Sequence, residues 1–271
     1  MLEGEEPPLG EATFKERIEE SSRTRGSNII LALDLTPEEP ESLLSKSMRV
    51  LEETYRYICA LKINRHLVLP LGLFGGVAKI LEAAQDLGLP TIMDCKINDV
   101  GHTNRVIAEQ YFKAGFDAVT ANPLVGWEGG LKPVFEVARK AGRGVIILVY
   151  MSHKAAPEGY GQRVYDPAAG VVKPQYVVFA EKALSWGADG AVVGATYPEK
   201  IREVHAVLER RVPIYSPGVG VQGGSVESAV SSGARYLIVG RSIVLADDPC
   251  EAAKSLRERV LKILPRLDKR G

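Results

Sequence analysis

Asp94, Lys96 and Asp99 fall within TIMDCKINDVGHTN (91–104), directly behind a run of apolar residues. Charge at the end of a buried strand is costly unless each group is paired, so the cluster is either a structural ion-pair knot or a set of groups held there for a reaction. Residues i and i+2 of a strand share a face, which lets Asp94 and Lys96 point one way while Cys95 points the other. Asp34 closes the apolar run NIILALD (28–34), and Lys62 lies near the end of YICALKI (57–63). Two acids and two bases from three neighbouring strand ends would converge on one mouth, each opposite charge keeping its neighbour ionised against desolvation. Asp99 sits where the helix after the third strand should begin, so it reads equally as an N-cap.

A second chemistry is written in glycine. SPGVGVQGGSVESAV (216–230) and VGRSIVLADDP (239–249) each follow an apolar run. Glycines let the backbone approach a ligand, amides at a helix start point outward, and Arg241 offers a fork for bidentate contact. Gly218, Gly220, Gly223, Gly224 and Arg241 together suggest a phosphate cup; the plainer alternative is turn glycines and a solvated rim arginine. His66, His102, His153 and His205 show no nucleophile or metal-ligand spacing, and Ser152 has no partnered histidine at a diagnostic distance, which argues against a serine hydrolase.

These residues need elements to carry them. Eight continuous apolar runs recur, at 28–34, 57–63, 90–96, 117–122, 144–150, 189–194, 212–217 and 235–240. Continuous rather than alternating apolar character is the mark of parallel strands buried on both faces. Helix-like stretches such as EEPESLLSKSMRVLEETY and FGGVAKILEAAQDLG separate them, and Gly88, Gly115, Gly142, Gly187 and Gly233 stand where helices should end. The expected fold is α/β, a (β/α)8 TIM barrel in one domain over 26–271, behind a polar leader at 1–25 with a short helix at about 11–22. A doubly wound open sheet is the lesser alternative. Such barrels react at the C-terminal ends of their strands and often bind phosphate after strands seven and eight, which is where the two glycine segments fall. The Gly-, Pro- and Tyr-rich segment 151–170 reads as a lid or binding loop, and otherwise as a disordered insertion.

Bulk composition narrows the class. Lys plus Arg and Asp plus Glu balance at 34 each, so no basic excess points to nucleic acid. Three cysteines, Cys59, Cys95 and Cys250, are widely spaced among apolar neighbours, which suits reduced thiols. The acidic N-terminus lacks a signal-peptide core, and no continuous 18-residue apolar run suggests a membrane span. A cytoplasmic protein is expected.

LALD (31–34), LKIN (61–64), DCKINDVGHTN (94–104), YMSH (150–153), SPGVGVQGG (216–224) and VGRSIVLADDP (239–249) resemble the orotidine 5′-phosphate decarboxylase family, in order, from about 28 to 250. The resemblance implies removal of CO2 from orotidine 5′-monophosphate to give UMP, without metal or organic cofactor. It implies Lys96 as proton donor to C6, with Asp94 against the scissile carboxylate and held by Lys62 and Lys96. Asp34 and Lys62 would meet ribose hydroxyls, Ser152 the pyrimidine, and Gln222 both ring and phosphate. Arg241, Gly240 and the loop at Pro217, Gly218 and Gly223 would hold the phosphate. Asp99 and Thr103 would come from the partner subunit of a homodimer. The chain departs from the family in reading Val-Gly-His after Asp99 and in the length of 151–170. The nearest rivals are sugar-phosphate enzymes of the same suprafamily, 3-keto-gulonate 6-phosphate decarboxylase and hexulose 6-phosphate synthase, which use Mg2+ and favour a carboxylate where this chain has Lys62. A non-catalytic nucleotide-binding barrel is the third reading.

Overall fold

The computed structural model describes residues 12–36, 39–167, 169–220 and 222–263. Its strands are β1 Ile29–Ala32, β2 Ala60–Asn64, β3 Thr91–Ile97, β4 Ala118–Ala121, β5 Gly144–Tyr150, β6 Arg163–Asp166, β7 Val171–Pro174, β8 Gly190–Val193, β9 Ile214–Pro217 and β10 Ala234–Val239. Eight of them close in the order β1-β10-β9-β8-β5-β4-β3-β2. Every pairing in that ring is parallel. The expected (β/α)8 barrel is therefore the fold, and the open sheet is excluded by the β1–β10 closure.

The apolar runs are continuous because alternate residues serve two cores. Ile30, Ala32, Ala60, Ile92, Ile146, Leu148, Val192 and Ile238 fill the barrel's interior. Ile29, Leu31, Leu61, Met93, Val119, Ile147 and Leu237 face the helical layer outside. Either face exposed would have required polar residues at every second position. Glycines end helices where expected, Gly88 at φ 64 and Gly187 at φ 67.

The helix expected in the leader runs Phe14–Arg25, opened by a Thr13/Glu16 capping box. Phe14 and Ile18, 0% and 1% exposed, join the interior core, so this helix closes the barrel's N-terminal end. Gly144 starts β5 because a Cβ there would overlap the Phe14 ring. Arg17 ties the helix to Asp117 at 3.0 Å, and Asp117 in turn accepts the Thr91 backbone N–H at 2.8 Å. Residues 1–11 of the leader lie outside the described residues.

The segment 151–170 is ordered where it is described. A short helix, Ala156–Gly159, leads into β6 and β7, which pair antiparallel as a hairpin outside the barrel. Tyr160 packs on Tyr150 at 5.8 Å and on Phe179 at 6.2 Å, and Lys173 bridges Asp166 and Glu181 at 3.0 and 2.7 Å. Arg65–Asp86, at mean hydropathy 1.7, is long and apolar enough by composition to cross a membrane, which a search for continuous apolar runs missed. Its helix breaks at Gly75 (φ −108, ψ −110), and Leu67, Val77, Ile80 and Ala84 bury in the outer core. Those features make it part of the barrel's helical layer.

Candidate active site

A cavity of about 200 Å³ opens at the C-terminal ends of the strands. Its charged side is built by β2 and β3. Lys62 Nζ lies 2.8 Å from Asp94 Oδ2, and Lys96 Nζ lies 2.6 Å from Asp94 Oδ1. One carboxylate thus stands between two ammonium groups, as the i, i+2 spacing anticipated. Cys95 turns away into the outer core. Lys62 is 5% exposed. Burial alone would push its pKa down, but the charges of Asp94 and Asp34 outweigh that and hold it above the ordinary lysine value. Burial would raise Asp94, yet Lys62 and Lys96 pull its pKa well below the usual carboxylate range. Both partners stay charged across the neutral range.

Lys96 has φ 50, an uncommon conformation for a residue bearing a Cβ. Thr120, at the end of β4, accepts the Lys96 backbone N–H at 2.9 Å and donates to Asp94 Oδ1 at 3.1 Å. Sequence reading missed Thr120; its one signal was a polar residue inside DAVTAN, at the next strand end in chain order.

The opposite side of the cavity is set by β1, β5, β9 and β10. Asp34, Ser152, Pro217, Gly218, Gln222, Gly240 and Arg241 all line it, joined by Met151 and Ser242, while Asn64 at the end of β2 stands with the charged side. Ser152 Oγ donates to Gln222 Oε1 at 2.8 Å. A Cβ at Gly240 would overlap Asp34 Oδ2, so the glycine lets that carboxylate sit against the backbone. Gly194, at the end of β8, backs onto Ser152 so closely that a Cβ would lie 2.6 Å from its Cα. Arg241 is exposed, and its side chain makes no hydrogen bond or ion pair among the described residues. The apolar floor is Ile92, Ile146, Leu148, Val192, Tyr215 and Ile238.

Several expected residues stand elsewhere. Gly223 does not line the cavity. The loop's amides are also less free than the glycine count suggests: Gly220 N–H donates to Gly224 O at 2.9 Å and Gly223 N–H to Gly220 O at 2.7 Å. The helix that follows, Val226–Ser231, is capped by Ser225, so its start is not an open anion cradle. Asp99 is not an N-cap. The helix runs Gly101–Lys113 with Val100 at that position, and among the described residues the Asp99 carboxylate accepts only the Val100 N–H, at 2.7 Å. Buried Asn104 holds the turn instead, accepting the Asp99 N–H at 2.9 Å and donating to Gly130 O at 3.1 Å. Neither Asp99 nor Thr103 lines the cavity of its own chain, and no residue of the hairpin does. Among the described residues no group of three or more His, Cys, Asp or Glu converges as a metal site.

The sequence model of the Orotidine 5′-phosphate decarboxylase / HUMPS family matches residues 27–256. An orotidine 5′-phosphate decarboxylase of Methanosarcina mazei is 36% identical over 238 residues, 87% of this chain and 96% of that protein. Among solved structures, UMP synthase of Leishmania donovani is similar with a TM-score of 0.83 at 27% identity, over 93% of this chain but 57% of that one. Orotidine 5′-monophosphate decarboxylase of Methanocaldococcus jannaschii, solved in complex with the inhibitor BMP, gives a TM-score of 0.73 at 28% identity over 86% and 98% of the two chains.

Proposed function

The chain belongs to the orotidine 5′-phosphate decarboxylase / HUMPS family, and from that premise we propose that it converts orotidine 5′-monophosphate to UMP and CO2, without metal or organic cofactor. The observation that carries the reading is the Asp94 carboxylate fixed between Lys62 and Lys96 at the mouth of the cavity. The C6–carboxylate bond breaks, CO2 leaves, and the electron pair stays on C6 as a vinylic carbanion with no ring position to delocalise into. Catalysis must then come from favouring that charge over the carboxylate that is lost. The Lys96 ammonium faces the developing pair and delivers its proton to C6, giving UMP. The Asp94 charge disfavours the substrate carboxylate beside it, and Lys62 and Lys96 keep Asp94 ionised while it does so.

Asp34 and Lys62 take the ribose hydroxyls. Ser152 meets the pyrimidine, and Gln222, already bonded to Ser152, reaches from ring to phosphate. Arg241, with the Gly240 backbone and the Pro217–Gly218 turn, takes the phosphate; the absence of any other partner for the Arg241 guanidinium among the described residues supports that role. Binding energy gathered at the phosphate, remote from the bond that breaks, can be spent on closing the site. Asp99 and Thr103 act in the site of the partner subunit of a homodimer. Supporting this, both lie outside their own cavity while Leu69, Phe74, Val100 and Val106 expose apolar surface at 83%, 57%, 65% and 42%. A cytoplasmic location fits the free thiols of Cys59, Cys95 and Cys250. The sugar-phosphate alternative is disfavoured by Lys62, a cation where a metal-binding carboxylate would be needed.

The test is the ultraviolet absorbance of orotidine 5′-monophosphate mixed with catalytic amounts of protein in excess EDTA. Steady loss is expected. No loss with or without Mg2+ would refute the reading, and loss only with Mg2+ would refute its metal-free part.

A further inference from the structure

The β3–β4 ladder breaks where the charged residues stand. Ile92 pairs with Ala118 and Met93 with Val119, and pairing resumes only at Ile97 with Ala121. Asp94, Cys95 and Lys96 therefore oppose one residue, Thr120, in a bulge that carries Lys96 to φ 50. Such a break strands backbone groups that the ladder would have paired, and a stranded N–H in a barrel mouth needs another acceptor. Thr120 provides it with its side chain. Oγ1 accepts the Lys96 N–H at 2.9 Å and gives its own proton to Asp94 Oδ1 at 3.1 Å. A hydroxyl has one proton to donate and lone pairs to accept with, so both bonds hold at once. Thr120 is 4% exposed, so water does not readily replace either bond.

We propose that Thr120 is a positioning residue of the decarboxylation site, fixing with one hydroxyl both the Asp94 carboxylate and the backbone that aims the Lys96 ammonium. The inference rests on the decarboxylase reading and deepens it. An apolar residue of the same shape at 120 leaves the Lys96 N–H unpaired and releases one side of Asp94 Oδ1, so the two reacting groups move relative to C6. Arg241 and Gly240, on the other side of the cavity, keep their grip on the phosphate. The rate of the chemical step therefore falls while substrate affinity does not.

The experiment compares kcat and KM for orotidine 5′-monophosphate, UMP affinity and Tm in the parent, Thr120→Val and Thr120→Ser. Thr120→Val is expected to lower kcat about 10- to 100-fold with KM and UMP affinity within about threefold, and Thr120→Ser, which keeps the hydroxyl, to recover kcat to within about threefold of the parent. Unchanged kcat in Thr120→Val overturns the proposal. So does an equal loss in Thr120→Ser, which would assign the effect to methyl packing, and so does a rise in KM with kcat retained. If Thr120→Val fails to fold, Thr120→Ala against Thr120→Ser makes the same comparison of hydroxyl absent and present. A parent protein that does not turn over the substrate refutes the decarboxylase reading itself, and that result is separate from any difference among the variants.

Discussion

Lys96 can be removed without leaving an uncompensated charge, because Asp94 keeps Lys62 at 2.8 Å and Thr120 at 3.1 Å. Lys96→Ala should therefore fold and bind UMP to within a few-fold, yet lose at least about 10³-fold in kcat as both proton donor and electrostatic partner disappear. Steady-state turnover together with titration of UMP checks this; activity near the parent's would remove Lys96 as the donor. Asp94 behaves differently. Asp94→Asn leaves buried Lys62 without its nearest counter-charge, a loss on the order of 3–5 kcal/mol at neutral pH. The pH dependence follows from the directions of the two shifts. The depressed pKa of Asp94 gives stability that is present above the unfolded value of about 3.9 and is lost as pH falls through the folded one. The raised pKa of Lys62 gives stability that is present below about 10.4 and is lost as pH rises through the folded value. The stability gap between parent and Asp94→Asn, measured by urea unfolding, should be flat near neutrality and narrow below about pH 4. A gap that stays the same down to acid would show that folding does not lower the Asp94 pKa.

At the scale of elements, the helix Phe14–Arg25 is the least expected contributor. Its mean composition is polar, and its apolar contribution to the barrel interior is Phe14 and Ile18, one turn apart on the same side. Phe14→Ala should cost about 3–5 kcal/mol, because the interior of a closed barrel cannot collapse onto the void. Calorimetry or chemical unfolding measures it; a change under about 1 kcal/mol would mean that the helix merely rests on the barrel. The hairpin β6–β7 shows the opposite pattern, with Tyr165, Val171 and Val172 exposed at 65%, 46% and 51% and its order resting on the Tyr160 contacts and Lys173. Of the two readings of Asp99, the N-cap fails for a local reason. Asp99 has the composition of an N-cap, but Asn104, five residues on, satisfies the turn from inside the helix and leaves the carboxylate exposed.

For the whole molecule, the proposed role of Asp99 requires a second copy of the chain, because its exposed carboxylate lies outside its own cavity. If each site takes Asp99 from its partner, Lys96→Ala and Asp99→Ala should each be inactive alone and regain activity when mixed and allowed to exchange subunits, since one site of the hybrid has both residues intact. No recovery after exchange, verified by native mass spectrometry, would place Asp99 outside catalysis. The strands, their parallel order and the charged strand ends were readable in the chain. Burial on both faces forces continuous apolar runs, and the two-residue period puts Asp94 and Lys96 on one side whatever surrounds them. The glycines that end helices, such as Gly88 and Gly187, were readable because they answer to local backbone sterics. The role of Thr120 was not, because the gap between Met93 and Ile97 in the β3–β4 pairing exists only once the barrel has closed. Nor could the sequence tell that Ser225 caps the helix behind the glycine loop, or that a polar leader would lend Phe14 to the barrel's floor. Period and propensity act within a few residues, whereas register, capping competition and the filling of an enclosed space are settled by segments far apart in the chain, and only the tertiary structure brings those together.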